Sequence, residues 1–262
     1  MMFRLSTGLP GTALLTALLV SGCALPPPLE EETGPTTRAV EASQPEKPTS
    51  EVSAASAKRV SEEEANRRRE LNINCSTTVS PEQRVELDAI DAMMAKSQNY
   101  AALARLETLE FQTQYHWLRW AQLLGKVDQL KLSENAYQQI VEACGSPEAY
   151  HGLGVVYVKR GDVDKALEAL QSAKSKAPAR AEIRNDLGIV LMTKGLYGQA
   201  AFELRTAYEL AQSKAGVDRN MVAAYYLRGG PAMVTNLQQE LGLSDAVVTA
   251  GIEFSKRFDH RS

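Results

Sequence analysis

The side chains best suited to chemistry in this chain are three histidines and three cysteines. His116, His151 and His260 lie far apart, without the spacing of metal ligands around them. No serine stands in a nucleophile elbow, and no glycine-rich loop has the pattern that cradles a phosphate. The sequence therefore predicts no catalytic residue, no metal site, no cofactor and no small-molecule substrate. An enzyme would instead need a cluster of perturbed titratable groups in a cleft.

Cys23 follows a short apolar run at the amino terminus. Arg4 supplies a positive charge before the run at residues 13–20, an order typical of an export signal. The run is shorter than the roughly 20 apolar residues of a spanning helix. The sequence VSGC at residues 20–23 resembles the lipobox of bacterial lipoproteins. This resemblance implies a signal peptide at 1–22, cleavage before Cys23, and lipid attached to that cysteine. The alternative is an ordinary secretory signal with an accidental cysteine.

The residue after the cysteine bears on the choice of membrane. Ala24 stands where lipoproteins kept in the inner membrane have an aspartate, so the resemblance implies the periplasmic face of the outer membrane. Acyl chains contribute about 0.8 kcal/mol for each buried CH₂ group, and several chains would make the anchor effectively permanent.

The other two cysteines, Cys75 and Cys144, form an even pair if Cys23 carries lipid. In an oxidising compartment such a pair favours a disulfide, which would tie the start of the folded region to the loop before residue 147. Two unpaired thiols are the alternative, and the sequence leaves both open.

A linker separates the lipobox from the folded region. Residues 24–74 contain no aromatic side chain and scatter prolines among glutamate, threonine, serine and alanine. Such a composition predicts disorder, because too little apolar surface can be buried to offset the loss of chain entropy. We therefore expect the lipid-bearing cysteine and a disordered linker at 23–79. The net charge of −3 argues against a nucleic-acid partner.

One pattern occurs twice between residues 147 and 211. The first copy contains Tyr150, Leu153, Gly154, Tyr157, Gly161, Ala166, Leu170, Ala173 and Pro178. The second copy, 34 residues later, contains Leu187, Gly188, Leu191, Gly195, Ala200, Leu204 and Ala207, with Arg184 and Gln212 replacing the outer tyrosine and proline. This order and spacing resembles the tetratricopeptide repeat (TPR), a helix–turn–helix unit that stacks on its neighbours.

The fold class that follows is all-α: an α-solenoid array of TPR-type helical hairpins at residues 80–262. Ser80 with Gln83 marks the first helix start, and a second helix is expected from Tyr100 to about Phe111. The clear repeats are 147–180 and 181–214, the degenerate units are 115–146 and 216–241, and a final helix is expected at 245–258. Glycine should end the first helix of each clear repeat, and small residues should lie where its helices cross.

The first helices of such hairpins line an inner groove, where a partner peptide is expected to bind. By repeat position the groove residues are Glu148, His151, Val155, Val158, Lys159, Glu182, Asn185, Ile189 and Met192. The alternative is that this face is merely solvated, or is covered by the C-terminal helix.

Together, a lipobox, a linker and a short array resemble the TadD-like TPR outer-membrane lipoproteins of tight-adherence (Flp) pilus systems. The likeness covers roughly residues 144–243 and depends on Arg184-Asn185-Asp186-Leu187-Gly188, its echo at Arg219-Asn220, and the stretch YYLRG at 225–229. It implies a non-catalytic role in pilus assembly, with pilotin-like binding to the secretin channel. The alternative is a general periplasmic adaptor for peptidoglycan enzymes or for outer-membrane protein assembly.

Overall fold

The structure is a computed structural model that describes residues 70–211, 214 and 216–258. Over these residues the chain forms ten α-helices and one short 3₁₀ turn, with no strand. The helices are α1 (Pro81–Ala95), α2 (Asn99–Leu106), α3 (Gln114–Lys126), α4 (Leu130–Cys144), α5 (Pro147–Arg160), α6 (Val163–Lys176), α7 (Ala181–Thr193), α8 (Tyr197–Leu210), α9 (Val217–Leu241) and α10 (Asp245–Ser255), followed by the 3₁₀ turn Lys256–Phe258. The predicted all-α array is confirmed.

The helices pack as consecutive hairpins, each against the next. Helices α5 and α6 form the first clear repeat, and α7 and α8 form the second. Helices α3 and α4 form the degenerate unit before them. None of the described helices has both the length and the apolar character needed to cross a membrane.

The helix ends follow the sequence signals. Ser80 accepts a hydrogen bond from the backbone N–H of Gln83, whose side chain in turn accepts from the N–H of Ser80, so the expected capping box is present. Gly161 has φ of 79° and Gly195 has φ of 71°, a left-handed conformation that is strained for residues with a Cβ. These glycines let the chain reverse within each clear repeat.

Small residues allow the two helices of a repeat to approach closely. A Cβ on Gly154 would lie 2.7 Å from Cγ of Leu170, and one on Gly188 would lie 2.4 Å from Cγ of Leu204. Ala166 is fully buried at the first of these crossings. The leucines therefore fill the space that the glycines leave, as the repeat pattern predicts.

Residues 70–79 form an extended segment without helix that is fixed to the first hairpins. The N–H of Leu71 donates to the side-chain oxygen of Gln139 at 2.7 Å, and the N–H of Gln114 donates to the carbonyl of Ser76 at 2.9 Å. Between these contacts Cys75 and Cys144 form a disulfide with Cα atoms 5.4 Å apart. The sequence left open whether these cysteines are bridged or are unpaired thiols, and in the structure they are bridged.

One helix ends earlier than expected, and one is divided by a kink. Helix α2 ends at Leu106 and not near Phe111, because Glu107 to Leu109 turn the chain toward α3. Helix α9 consists of two helices joined at a kink, where Gly230 has φ of 69° and Pro231 cannot donate the hydrogen bond that would continue the first.

Several expectations concern residues outside the described part of the chain. The signal peptide at 1–22, Cys23 with its lipid, the linker up to residue 69, and His260 all belong to this group. They stay predictions from the sequence.

Candidate functional site

The candidate site is a cavity of about 360 Å³ on the inner face of the array. It lies between α3, α5 and the amino-terminal turn of α7. Its volume is within the range of about 300 to 1,000 Å³ that is usual for ligand pockets. The lining residues are Leu118, Arg119, Gln122, Gly125, Lys126, Ser133, Tyr137, Glu148, His151, Gly152, Val155, Val156, Lys159, Arg180, Glu182 and Ile183.

The floor of the cavity is formed where Tyr137 of α4 meets Gly152 of α5. A Cβ on Gly152 would lie 2.2 Å from Cζ and 2.6 Å from the hydroxyl oxygen of Tyr137, so only glycine leaves room for this ring. Tyr137 is 5% exposed, and burial raises the pKa of its hydroxyl far above the ordinary value, although the charge of Arg119 opposes this. The hydroxyl is therefore protonated at neutral pH and can both donate and accept.

One end of the cavity is positively charged. The ammonium group of Lys159, near the end of α5, donates to the carbonyl oxygen of Gly125 in α3 at 2.7 Å. Lys126 is the next residue in α3 and is exposed. Within the described residues, neither lysine has a carboxylate at ion-pair distance. Two ammonium charges at this end are thus left without a described counter-charge.

The opposite end has mixed charge. Arg180 forms an ion pair with Glu148 and also feels the nearby Glu182, and these contacts raise the pKa of its guanidinium. On the wall between the two ends, Arg119 donates two hydrogen bonds to Asp91 of α1, at 3.1 and 2.6 Å. The arginines of the cavity are therefore compensated, whereas Lys126 and Lys159 are not.

Five of the predicted groove residues line this cavity, namely Glu148, His151, Val155, Lys159 and Glu182. Val158 is 44% exposed on the same helix but lies outside the lining. Asn185 and Ile189, in the second repeat, are partly buried and also lie outside it.

The prediction that Met192 lines the groove is wrong, since this residue is 0% exposed and belongs to the buried core. It lies at the end of α7, beside the hairpin turn that leads to Tyr197. The 3₁₀ turn after α10 reaches this hairpin, and the hydroxyl of Tyr197 donates to the carbonyl of Phe258 at 2.7 Å. Met192 therefore packs in the core of the array and is not available to a partner peptide.

A line of polar contacts connects the first helices of successive units. Nε2 of His151 lies 2.7 Å from a carboxylate oxygen of Asp186, in the first helix of the next repeat. The amide of Asn220 in α9 donates to Asn185 at 2.9 Å, and the guanidinium of Arg219 lies 4.3 Å from the ring centre of Phe254 in α10. In the second repeat the inner face is thus occupied by the chain's own side chains.

Sequence reasoning missed the residues that give the cavity its floor and its charge. Tyr137 belongs to a second helix, Lys126 to a degenerate repeat, and neither position is marked by the pattern. Gly152 was the available signal, because a second glycine two residues before Gly154 has no role in the helix crossing of the repeat.

The chemistry of the cavity is that of binding. Within residues 70–211, 214 and 216–258 no group of three or more histidine, cysteine, aspartate or glutamate side chains could hold a metal ion. The lining combines apolar side chains with charged groups and with two hydroxyls, that of Ser133, which donates to the carbonyl of Ala121, and that of Tyr137, which has no described partner. This arrangement suits an apolar side chain flanked by polar groups.

Comparisons with known proteins agree with the repeat pattern. The model of the tetratricopeptide repeat matches residues 118–181 and 151–215. The TPR repeat-containing protein PA4299 of Pseudomonas aeruginosa is 31% identical over 169 residues, which are 64% of this chain and 69% of the relative.

Two solved structures share the fold. The thermophilic TPR protein TTC0263 of Thermus thermophilus has a TM-score of 0.53 at 16% identity, over 65% of this chain and 97% of its own. The Cut9–Hcn1 hetero-tetramer of the APC/C has a TM-score of 0.54 at 22% identity, over 66% of this chain and 36% of that one. At these identities the likeness concerns the fold alone.

Proposed function

The chain belongs to the tetratricopeptide repeat family, and from this premise we propose that it is a non-catalytic docking protein that helps to assemble a pilus secretion machine at the outer membrane. Repeats of this family bind other proteins, so the coarser role is that of a scaffold for a protein partner. The finer role is pilotin-like binding to the secretin, the channel through which the pilus leaves.

The observation that carries the docking role is the cavity between α3, α5 and α7. It opens on the inner face of the array, where a peptide can contact several units at once. Its lining combines apolar walls with compensated arginines and two uncompensated lysines. Apolar surface and charges in fixed positions allow such a cavity to distinguish one peptide sequence from another.

The membrane part of the proposal depends on the sequence motif at residues 20–23 and on the resemblance to TadD-like lipoproteins. A lipid on Cys23 would hold the domain at the inner leaflet of the outer membrane. A secretin segment captured there would have a raised local concentration at the place of assembly.

A pull-down from detergent-solubilised outer membranes tests the partner. We expect the tagged full-length protein to recover a multimeric secretin, identified by mass spectrometry. The charge reversals Lys159→Glu and Glu182→Lys should reduce the yield, whereas Lys131→Glu, an exposed lysine of α4 outside the cavity, should not. Recovery of peptidoglycan enzymes or of the outer-membrane assembly machinery would contradict the pilus role and support the general adaptor.

A second experiment tests the anchor. We expect Cys23→Ser to move the protein from the outer-membrane fraction to the soluble periplasm, with its helical circular dichroism unchanged. Retention of the variant in the membrane fraction would contradict lipid attachment at this residue.

A further inference from the structure

We infer that the cavity takes one aromatic side chain with a polar tip, of the tyrosine type, from an acidic segment of a protein partner. The inference rests on the proposed docking role, but it holds for any partner that the scaffold captures. It follows from three features of the cavity: a lining hydroxyl without a hydrogen-bond partner among the described residues, apolar walls, and two lysines without a described counter-charge.

The first feature is the hydroxyl of Tyr137. This residue is only 5% exposed, lines the cavity, and makes no hydrogen bond through its side chain among the described residues. A ligand that fills the cavity would remove this hydroxyl from water, so a ligand that offers it a donor or acceptor is favoured over one that leaves it unpaired. The absence of a Cβ at Gly152 lets the Tyr137 ring lie against α5, which places this hydroxyl in the lining of the cavity.

The second feature is the shape and polarity of the walls. Leu118, Val155 and Ile183 contribute apolar side chains to the lining of the cavity that Tyr137 also lines. An apolar body with one polar end fits such a space better than an aliphatic side chain, which would leave the hydroxyl unpaired, or a charged one, which would be desolvated. Tyrosine combines a large buried ring with a single hydroxyl.

The third feature is charge. Lys126 and Lys159 lie at the ends of α3 and α5, and no described carboxylate neutralises them. The chain as a whole is acidic, with a net charge of −3, so this cationic end is a local exception. It favours aspartate or glutamate beside the anchor residue, and it disfavours a basic segment.

Titration calorimetry with the full-length protein tests the inference with four synthetic peptides of equal length. Three carry four glutamates around a central tyrosine, phenylalanine or alanine, and the fourth carries lysines around tyrosine. We expect the acidic tyrosine peptide to bind at least about tenfold more tightly than the acidic alanine peptide. The lysine peptide should bind more weakly than every acidic peptide with an aromatic centre.

Matched variants assign the effect to the cavity. Val155→Trp fills the space and should remove the preference for tyrosine over alanine, whereas Val158→Trp, on the same helix outside the lining, should keep it. Lys126→Glu should reduce the affinity for the acidic tyrosine peptide by about fivefold, whereas Lys131→Glu should leave this affinity unchanged. Tyr137→Phe retains the ring but not the hydroxyl. It should abolish only the difference in affinity between the acidic tyrosine peptide and the acidic phenylalanine peptide.

Three results would overturn the inference. One is equal binding of the tyrosine and alanine peptides. Another is equal or tighter binding of the lysine peptide. The third is dimerisation of the protein that Val155→Trp abolishes while no peptide binds, which would make a second copy of this chain the occupant. A secretin missing from the pull-down, with the peptide preferences intact, would contradict only the pilus role.

Discussion

The two clear repeats share one sequence pattern, yet their inner faces differ. In the first, Gly152 makes room for the Tyr137 ring and both residues line the cavity, and Val158 is 44% exposed. Thirty-four residues later, Asp186 takes the place of this glycine and contacts His151, and Met192 at the place of Val158 is 0% exposed. The repeat pattern therefore fixes where a helix lies, whereas the residues between its hallmark positions decide whether the groove stays open.

Both regions need internal support, but of different kinds. The first region, which comprises the first repeat together with the preceding unit α3–α4, is held by the Cys75–Cys144 disulfide and contains the buried His116. The second is held by a buried carboxylate between two cations and by the C-terminal elements. The following changes test this difference, in order of decreasing effect.

The largest effect is expected from loss of the disulfide in the first region. Cys144→Ser opens a loop of 69 residues, and the chain-entropy relation gives a loss of about 4 kcal/mol in the free energy of unfolding. Urea denaturation measures this loss. A reductant should destabilise the wild-type protein and leave the variant unchanged. A loss below about 1 kcal/mol would show that the bridge adds little to the first region.

In the second region, Glu203 is the residue whose loss should cost most. Its side chain is 7% exposed and accepts from Lys174 at 2.8 Å and from Arg184 at 2.5 Å. Glu203→Ala leaves these cations without their partner, and we expect a loss of about 3 kcal/mol in urea denaturation. Glu209→Ala, which removes an exposed ion pair with Arg205, should cost less than about 1 kcal/mol. Equal effects would contradict a special role for the buried carboxylate.

Glycines in the second repeat allow a matched comparison of crowded and open positions. Gly188→Ala brings a Cβ to 2.4 Å from Leu204, and overpacking should lower the free energy of unfolding by about 1 to 3 kcal/mol. Gly198 has no atom within 4 Å of its would-be Cβ, so Gly198→Ala should be neutral or stabilise by less than about 1 kcal/mol. Thermal denaturation of both variants measures these changes in stability. A stabilising effect of Gly188→Ala would contradict the close helix crossing.

The smallest effect is a pH dependence in the first region. Burial lowers the pKa of His116 below its ordinary value of 6.5, although the hydrogen bond with Thr113 opposes this. Because the unfolded chain then binds the proton more readily, stability should fall as the pH drops below 6.5 toward the folded pKa. Denaturation midpoints measured across this range should vary less in His116→Gln. An unchanged slope in the variant would assign the dependence to other groups.

Much of the fold could be predicted from the sequence, because its signals are local. Ser80 and Gln83 mark a helix start within one turn, and Gly161 and Gly195 mark helix ends whose conformation few other residues adopt. The repeat spacing then determines which helices pack together.

The site could be predicted only in part, because exposure depends on neighbours that are distant in sequence. The spacing placed His151, Val155 and Lys159 on the inner face, where the structure has them. It could not show that Tyr137 reaches Gly152 from the preceding unit. Nor could it show that Met192, at the position equivalent to the exposed Val158, is fully buried in the core.

The most direct test of the open groove is photo-crosslinking from equivalent positions in the two repeats. A benzophenone amino acid replaces Val155 in one full-length variant and Ile189, 34 residues later, in the other. After irradiation in cells, mass spectrometry identifies the crosslinked partner peptide. We predict adducts from position 155, to an acidic segment with an aromatic residue, and few from position 189. Adducts mainly from position 189, or equal yields from both positions, would contradict an open groove confined to the first repeat.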